Sequence, residues 1–157
     1  GDTLGVQIMV LEFNQLKDEV VKILEREKSI TLSTSANNKV TARTMSHVNE
    51  DLIIYFQTGG SSEKAQQIEQ NPNVAFAVAN IQIEAIARKC GHPMESKNKG
   101  FADKYKEKFP AYFEKYTNLP DEILFETYPV KIKMYKYVDE NPTIIVLDMQ
   151  ENKAYLE

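Results

Sequence analysis

The sequence is poor in the residues that mark secreted, membrane-spanning and metal-binding proteins. It has one cysteine among 157 residues, so no disulfide can form within the chain and a reducing, cytoplasmic location is expected. No run of about 18 apolar residues is present, so no membrane-spanning helix is expected. Cys90 and His92 stand together in "CGH", but they offer two metal ligands without a third cluster, and no metal site is predicted.

The chain also lacks an excess of positive charge. Lys and Arg number 19 against 23 Asp and Glu, which gives a net charge of −4. General binding to nucleic acid or to a membrane surface needs a basic face, so neither partner is expected, although a local basic pocket remains open. The stretch "KNKGFADKYKEKFPAYFEKY" mixes lysines with aromatic residues, but its helical period puts the two classes on different faces. Core packing of the aromatic face is therefore favoured over nucleic-acid binding.

No internal repeat or linker divides the chain, and its length suits one domain. We therefore predict a single domain over residues 1–157. Residues 1–10 lack the basic start and the small-residue cleavage site of a signal peptide. We expect them to be disordered or left over from cloning, and they carry no part of the functional argument.

Hydrophobic periodicity predicts one helix and then three strands in the first half of the chain. Residues 29–35, 40–48 and 52–58 alternate as strands do, and we expect them to pair in meander order through turns at Asn37-Asn38 and at "NED", residues 49–51. The preceding helix spans residues 13–27, has Asn14 as its cap, and buries one stripe formed by Phe13, Leu16, Val20, Ile23 and Leu24.

The second half is predicted to return to strands around a helical excursion. A short helix over residues 62–69 precedes the strands "VAFAVAN" and "IQIEAIARK", which are joined or continuous near Asn80. An aromatic helical stripe over residues 95–126 is interrupted at Pro110, and strands follow at 127–138 and 143–149. The fold predicted is mainly β: a six- to seven-stranded antiparallel split barrel, Greek-key-like, with peripheral helices. The alternative is an open sheet with its helices on one face.

The loop in "FQTGGSSEKAQQIEQNP", residues 56–72, has two possible roles. Its glycines can adopt positive φ, and Ser61 or Ser62 can cap the helix that follows. A helix N-terminus attracts phosphate, and Lys64 would add a full charge. Capping statistics alone favour an ordinary capped turn, and the spacing is not that of a P-loop.

Arg43 is the second half of this argument. It lies in the middle of the predicted second strand, where an inward-facing arginine needs a partner. Antiparallel pairing through residues 49–51 would place Arg43 opposite Gln57, beside the loop. Arginine, lysine, a threonine hydroxyl and a helix N-terminus would then converge, as phosphate binding requires. The alternative places Arg43 on a solvated face.

The sequence "TARTMSHV…LIIYFQTGGSSEKAQQIEQNPNVAFAV" resembles the FMN-binding split-barrel family typified by pyridoxamine 5′-phosphate oxidase, and more closely its short, general-stress-protein-like members. The family pattern is an arginine on the second strand, a threonine ending the third, Ser-x-Lys opening the helix, and Asn-Pro-x-Val leading into the next strand. Here these positions hold Arg43, Thr58, Ser62 with Lys64, and residues 71–74. The likeness covers roughly residues 12–90.

The resemblance implies a homodimer with FMN at the subunit interface. Arg43 and Lys64 would hold the FMN phosphate, the strand from Thr44 to Val48 would run beside the flavin, and Gln57 would contact its ring or ribityl chain. Asn80 falls near the position of a flavin-contacting glutamine in the oxidase. The implied cofactor-binding residues are Arg43, Thr44, Met45, Ser46, His47, Val48, Gln57, Thr58, Ser62, Lys64 and Asn80.

Two departures from the oxidase limit what the resemblance implies about activity. Glu63 stands where the oxidase has a second basic residue, and the C-terminal arginine and histidine that grip pyridoxal phosphate are not visible. We therefore expect an FMN-dependent oxidoreductase of unknown substrate, or alternatively a carrier of flavin, F420 or haem. No catalytic residue is predicted, because Cys90 lacks a recognisable base and hydride transfer to flavin needs no protein acid or base. His47 would exchange protons near the flavin or be an ordinary packed histidine.

Overall fold

The computed structural model describes residues 12–157, and it begins with the predicted helix. Helix α1 (Phe13–Arg26) buries the five apolar residues predicted for its stripe. Its N-cap is Glu12, which makes no capping hydrogen bond, so the prediction of Asn14 as cap was wrong: the helix begins one residue before it. The expectation for residues 1–10 lies outside the described residues. No helix within residues 12–157 has the length and apolar character needed to span a membrane.

The strands between residues 12 and 157 number nine, and all their pairings are antiparallel. They are β1 (Ile30–Ala36), β2 (Lys39–Met45), β3 (Val48–Glu50), β4 (Ile53–Gly59), β5 (Asn73–Val78), β6 (Ile81–Lys89), β7 (Glu122–Val138), β8 (Asn141–Asp148) and β9 (Lys153–Leu156). The other helices are α2 (Glu63–Gln70), α3 (Lys99–Lys108) and the short α4 (Pro110–Tyr112), which continues as a π-helical turn (Phe113–Thr117); a 3₁₀ turn (Ser96–Asn98) precedes α3.

The sheet runs in the order β2-β1-β5-β6-β7-β4-β3, and β8 pairs with β7 and β9. Strand β7 is 17 residues long and pairs along its length with β4, β6 and β8 in turn. Phe56 is buried in the core of the barrel, with its ring centroid 5.4 Å from that of Phe125 and 6.3 Å from that of Phe76. This is the predicted mainly β, antiparallel split barrel with peripheral helices, although it has more strands than the six or seven expected.

The meander predicted for the first three strands is wrong. The segment predicted as one strand over residues 40–48 divides into β2, which pairs with β1, and β3, which pairs with β4. Arg43 consequently lies opposite Leu32, while Gln57 lies opposite Leu124 on β7. The division lies at Ser46 and His47, which belong to neither strand.

Local turn chemistry was predicted more accurately than strand pairing. Asn37 and Asn38 have φ of 52° and 65°, as the predicted tight hairpin turn requires. A similar turn at Ala79-Asn80 separates β5 from β6, so these strands are joined rather than continuous. Pro110 opens a second helical segment as predicted, but the excursion ends earlier than residue 126, because β7 already begins at Glu122.

Candidate functional site

Arg43 is held by a network of hydrogen bonds that also fixes helix α2. Its Nη1 donates to Thr34 Oγ1 at 2.7 Å and to the Leu32 carbonyl at 3.4 Å, and its Nη2 donates to Thr41 Oγ1. Both threonine hydroxyls then donate to Gln67 Oε1 of α2, at 2.5 and 2.7 Å. Helix α2 therefore lies across the β1–β2 hairpin. This network brings Arg43 close to the start of α2, whereas the predicted pairing of Arg43 with Gln57 of β4 does not form.

Lys64, in the first turn of α2, shares its surroundings with Arg43. Burial lowers the pKa of Lys64, and the positive charge of Arg43 lowers it further, while Glu122 acts in the opposite direction. Burial likewise lowers the pKa of Arg43, opposed by Glu63. The Glu63 carboxylate itself pairs with Lys39 at 3.1 Å, and no carboxylate within residues 12–157 forms an ion pair with Arg43 or Lys64. Two neighbouring cations with neutral contacts form a favourable site for an anion.

The loop before α2 is a capped turn that is docked on the start of β7. Ser62 is the N-cap, and its hydroxyl accepts from the Ala65 N–H at 3.3 Å. Asp121, just before β7, accepts hydrogen bonds from the two loop residues that precede the cap. Its carbonyl accepts from the Gly60 N–H at 2.7 Å, and its carboxylate accepts from the Ser61 N–H and hydroxyl at 3.2 Å each. The amides of residues 60 and 61 are therefore already bonded, and the positive charge nearby lies on Lys64 and Arg43.

Gly60 is needed for a close approach and not for a positive φ. Among the described glycines only Gly91 has a positive φ, so neither glycine of this loop adopts the conformation that glycine permits. A Cβ on Gly60 would lie 2.7 Å from Ile123 Cδ1 and 3.1 Å from the Asp121 carbonyl oxygen. At Gly59 the nearest atom would be 3.9 Å away. Only the second glycine therefore lets the loop dock on β7.

A cleft of about 780 Å³ opens between the barrel and the aromatic helices. Its volume is in the range of small-molecule sites. One side, which we call the sheet wall, consists of residues 44–46 at the end of β2 and residues 57–59 at the end of β4. The other side, the helical wall, consists of Tyr105, Phe109, Tyr112 and Tyr116, while Lys28, Ser29, Lys108 and Glu122 complete the lining.

The helical wall is a continuous series of aromatic rings. Successive centroids from Phe101 through Tyr105, Phe109 and Tyr112 to Tyr116 are 5.2, 5.2, 6.1 and 6.1 Å apart. Burial raises the pKa of Tyr105 to about 12, although a hydrogen bond with Ser46 acts the other way. The Tyr105 hydroxyl is therefore neutral near pH 7, and it can donate a hydrogen bond but cannot serve as a base.

Hydrogen bonds and packing join the two walls at the bottom of the cleft. Thr117 Oγ1, at the end of the π-helical turn, donates to Gln57 Oε1 of β4 at 3.1 Å, and both residues are buried. Val48 packs with Phe101 and Tyr105 in a small core beneath the helical wall. The position of the helices over the sheet is thus set by specific contacts.

The residues expected to bind the cofactor divide into three groups. Thr44, Met45, Ser46, Gln57 and Thr58 all line the cleft. Arg43, Ser62 and Lys64 lie beside it: Arg43 directly precedes Thr44, the Ser62 hydroxyl lies 3.3 Å from the Thr58 hydroxyl, and burial lowers the pKa of Lys64 while the charge of the cleft residue Glu122 opposes that shift.

The third group lies away from the cleft lining. His47 is fully buried, and its Nε2 donates to the Leu24 carbonyl of α1 at 2.9 Å, while its Nδ1 has no partner. Val48 belongs to the small core under the helical wall. Asn80 is in the β5–β6 turn, where its amide donates to the Tyr135 carbonyl at 3.0 Å.

The "CGH" segment organises a loop. His92 Nε2 donates to the Leu119 carbonyl at 2.8 Å, and its Nδ1 accepts from the Met94 N–H at 3.0 Å. Asn98 also donates to the carbonyls of Cys90 and His92. Both ring nitrogens of His92 are therefore used by the backbone, and burial raises the pKa of Cys90. Within residues 12–157 no group of three or more His, Cys, Asp or Glu is arranged to hold a metal ion.

Several residues of the site were not recognised in the sequence. Thr34, Thr41 and Gln67 orient Arg43, and the one available signal was a glutamine on the buried face of α2, between Ala65 and Ile68. The aromatic stripe was recognised, but its place over the cleft depends on tertiary packing. Lys28 and Lys108 carry no local signal, because lysine is common in exposed helices and turns.

Comparison with known proteins agrees with this architecture. The sequence profile of the pyridoxamine 5′-phosphate oxidase family matches residues 16–136, so the fold is that of a split barrel and the chain belongs to this family. General stress protein 26 of Bacillus subtilis (strain 168) is 26% identical over 141 residues, covering 84% of this chain and 96% of that protein.

Solved structures show the same fold. General Stress Protein 26 from Bacillus anthracis superposes with a TM-score of 0.63 at 23% identity, covering 82% of this chain and 97% of that one. HutZ, the haem storage protein from Vibrio cholerae, superposes with a TM-score of 0.68 at 16% identity, covering 80% and 99%. At these identities the likeness concerns the fold.

Proposed function

We propose that this protein is an FMN-dependent oxidoreductase that holds the cofactor phosphate between Arg43 and Lys64. The observation that carries the proposal is the closeness of these two cations beside the cleft, neither of which forms an ion pair within residues 12–157. A phosphate dianion would relieve their mutual repulsion and accept hydrogen bonds from both. The family membership supports the same assignment.

The sheet wall would lie along the flavin. Thr44, Met45 and Ser46 offer backbone groups at the end of β2, and the Gln57 side chain is already oriented by Thr117. Thr58 and Ser62 present hydroxyl groups between the cleft and Lys64. When bound, FMN would supply the hydride or electron transfer, while these residues would position it. His47, Val48 and Asn80 do not line the cleft, and the direct contacts expected of them with the flavin stay predictions.

A carrier of haem, flavin or F420 is the alternative function, and the histidines favour a flavin or deazaflavin over haem. Haem iron in proteins is commonly held by an axial histidine. The chain has two histidines, one fully buried against Leu24 and the other bonded through both nitrogens to the backbone. Met45 or a tyrosine of the helical wall, all of which line the cleft, would have to serve instead.

We also propose that the functional unit is a homodimer with the cofactor at its interface. Among the strands that the structure describes, β2, which carries Arg43, pairs with β1 alone. The rim of the cleft exposes Tyr112 and Tyr116, at 48% and 38% of their surface, and Leu119 is exposed beside them. A second subunit could cover such apolar surface. Sedimentation of the purified protein as a monomer in the presence of FMN would contradict this assembly.

Absorbance of the purified protein tests the cofactor directly. We expect flavin absorption bands at about 370 and 450 nm, or quenching of the fluorescence of added FMN on titration. A protein that is colourless and does not bind added FMN would contradict the assignment, and a Soret band would indicate haem instead. If flavin is bound, reduction by NADH or NADPH followed by reoxidation with a panel of acceptors separates an enzyme from a carrier.

A further inference from the structure

A buried carboxylate, that of Glu122, lines the cleft beside the proposed phosphate site. Glu122 is the first residue of β7 and pairs with Gly59 of β4, which also lines the cleft. Only 8% of its surface is exposed, and its carboxylate forms no ion pair within residues 12–157. A carboxylate that is largely removed from water and has no cationic partner is unfavourable in its charged form.

The charges that act on Glu122 come from several elements of the structure. Burial raises its pKa, His92 and Lys64 act in the opposite direction, and the charge of Asp121 acts with burial. The interaction with Lys64 is mutual, since Glu122 opposes the lowering of the pKa of that lysine. The other titratable groups that line the cleft are Tyr105, Tyr112, Tyr116, Lys28 and Lys108. Glu122 is therefore close enough to Lys64 to be affected by an anion that binds to this lysine.

The Glu122 carboxylate and a phosphate between Arg43 and Lys64 would repel each other. Under the proposed function, FMN brings a phosphate dianion to these two cations. The Glu122 side chain has little contact with water, so the repulsion is only weakly screened. The protonated carboxyl group carries no charge and removes the repulsion. Binding of phosphate and binding of a proton at Glu122 must therefore favour each other.

We infer that Glu122 is the proton-binding residue of the cofactor site: it takes up a proton from the solvent when the FMN phosphate binds, and its ionised form weakens the selection of FMN over riboflavin. This inference rests on the proposed function, because it needs a phosphate between Arg43 and Lys64. The affinity for FMN should fall as the pH rises through the pKa of Glu122. Riboflavin lacks the phosphate, so its affinity should not show this fall.

Titrations with FMN and with riboflavin, over a range of pH, test the inference in the wild type and in Glu122→Gln. The variant removes the charge and nearly keeps the shape of the side chain. It should bind FMN about tenfold more tightly than the wild type at about pH 8, because no carboxylate repels the phosphate. The two affinities should converge towards about pH 5, where the wild-type carboxyl group becomes protonated. Riboflavin should bind equally to both proteins.

The quantity compared is the ratio of the two FMN affinities, because the phosphate itself gains a proton near about pH 6 in both experiments. Glu122→Asp keeps a carboxylate and should keep the pH dependence of the wild type. The matched control is Glu114→Gln, which makes the same change of charge at an exposed residue that does not line the cleft. This control should bind FMN as the wild type does at every pH.

Calorimetry measures the proton directly. FMN is titrated into the wild type at about pH 7.5, where the free phosphate is already a dianion, in buffers that differ in ionisation enthalpy. The wild type should take up protons on binding, and Glu122→Gln should not. If Glu122→Gln does not fold, a wild type that binds FMN without proton uptake still overturns the inference.

The outcomes also separate this inference from the proposed function. Equal FMN affinities of the wild type and Glu122→Gln at about pH 8 would show that Glu122 does not act on the phosphate. Weaker binding of both FMN and riboflavin by the variant would mean that Glu122 accepts a hydrogen bond from the flavin instead. Either result overturns the inference while FMN still binds, so the proposed function stands. A wild type that binds no FMN at any pH contradicts both.

Discussion

The two walls of the cleft are built on different physical principles. The sheet wall consists of strand ends whose buried side chains are tied by hydrogen bonds, and the neighbouring Arg43 is fixed by a network reaching α2. The helical wall presents stacked rings, of which Tyr112 and Tyr116 are largely exposed. A hydrogen-bonded wall fixes the geometry of a bound group, whereas an aromatic wall offers area with little directional demand. Under the proposed function, the cofactor would therefore lie along the first wall.

The largest expected effect concerns the stability of the two walls. Phe56 is fully buried behind the sheet wall, so Phe56→Ala should lower the free energy of unfolding by roughly 3–5 kcal/mol through lost burial and a cavity. Tyr112→Ala on the helical wall should cost under about 1 kcal/mol, because that ring is 48% exposed. Urea denaturation measures both, and equal losses would show that the walls do not differ in this respect.

The next effect concerns the charges beside the sheet wall. Arg43→Ala and Lys64→Ala should each weaken FMN binding by about 1.5–3 kcal/mol, since each removes a bond to a charged phosphate. The control is Lys39→Ala, because Lys39 is exposed on the same hairpin but pairs with Glu63. Fluorescence titration with FMN gives the affinities. Unchanged affinity in both site variants would place the phosphate elsewhere.

The stability of the protein is expected to depend on pH through His47, which is hydrogen-bonded to Leu24 of α1. Burial, and then the charge of Lys108, lowers the pKa of His47 from 6.5 to about 4. The folded protein thus keeps His47 neutral at pH values where the unfolded chain binds a proton, so this contribution to stability is present above pH 6.5 and is lost as the pH falls towards 4. Between about pH 7.5 and about pH 5 the loss should be about 2 kcal/mol.

Urea denaturation across this range should show a steeper decline for the wild type than for His47→Asn, which has no group titrating there. The variant should start from a lower stability, because it loses the packing of the imidazole against Leu24. Parallel pH profiles for the two proteins would show that His47 does not carry the effect.

The smallest effect concerns the loop that joins the sheet wall to α2. Ser62→Ala should lower the free energy of unfolding by about 1 kcal/mol, because the Ala65 N–H loses its capping acceptor. Ser62→Gly should lower the free energy of unfolding by only a few tenths of a kcal/mol, since glycine is itself an acceptable N-cap. A reversed order of the two variants, measured by thermal or urea denaturation, would mean that Ser62 does not stabilise the helix through its cap.

Much of the fold and part of the site could be predicted from the sequence. The stripe of α1, the Asn37-Asn38 turn, the Ser62 cap and the break at Pro110 were predicted because each depends on residues within a few positions of one another. Arg43 and Lys64 were correctly expected to be neighbours, but for a wrong reason. The pairing of Arg43 with Gln57 does not occur, and α2 reaches the arginine through Gln67 and two threonines.

The sequence by itself therefore determined the helices, the turns, the alternating strands and the residue types available for an anion. Only the tertiary structure decided which strands pair, that Asp121 bonds the loop amides, and that Lys28 and Lys108 share the ring of Phe109. The reason is one of range: periodicity and capping act over one or two turns of chain. Tertiary packing brings together segments far apart in the chain, such as Lys28 and Lys108, which are 80 residues apart, through contacts that local patterns do not encode.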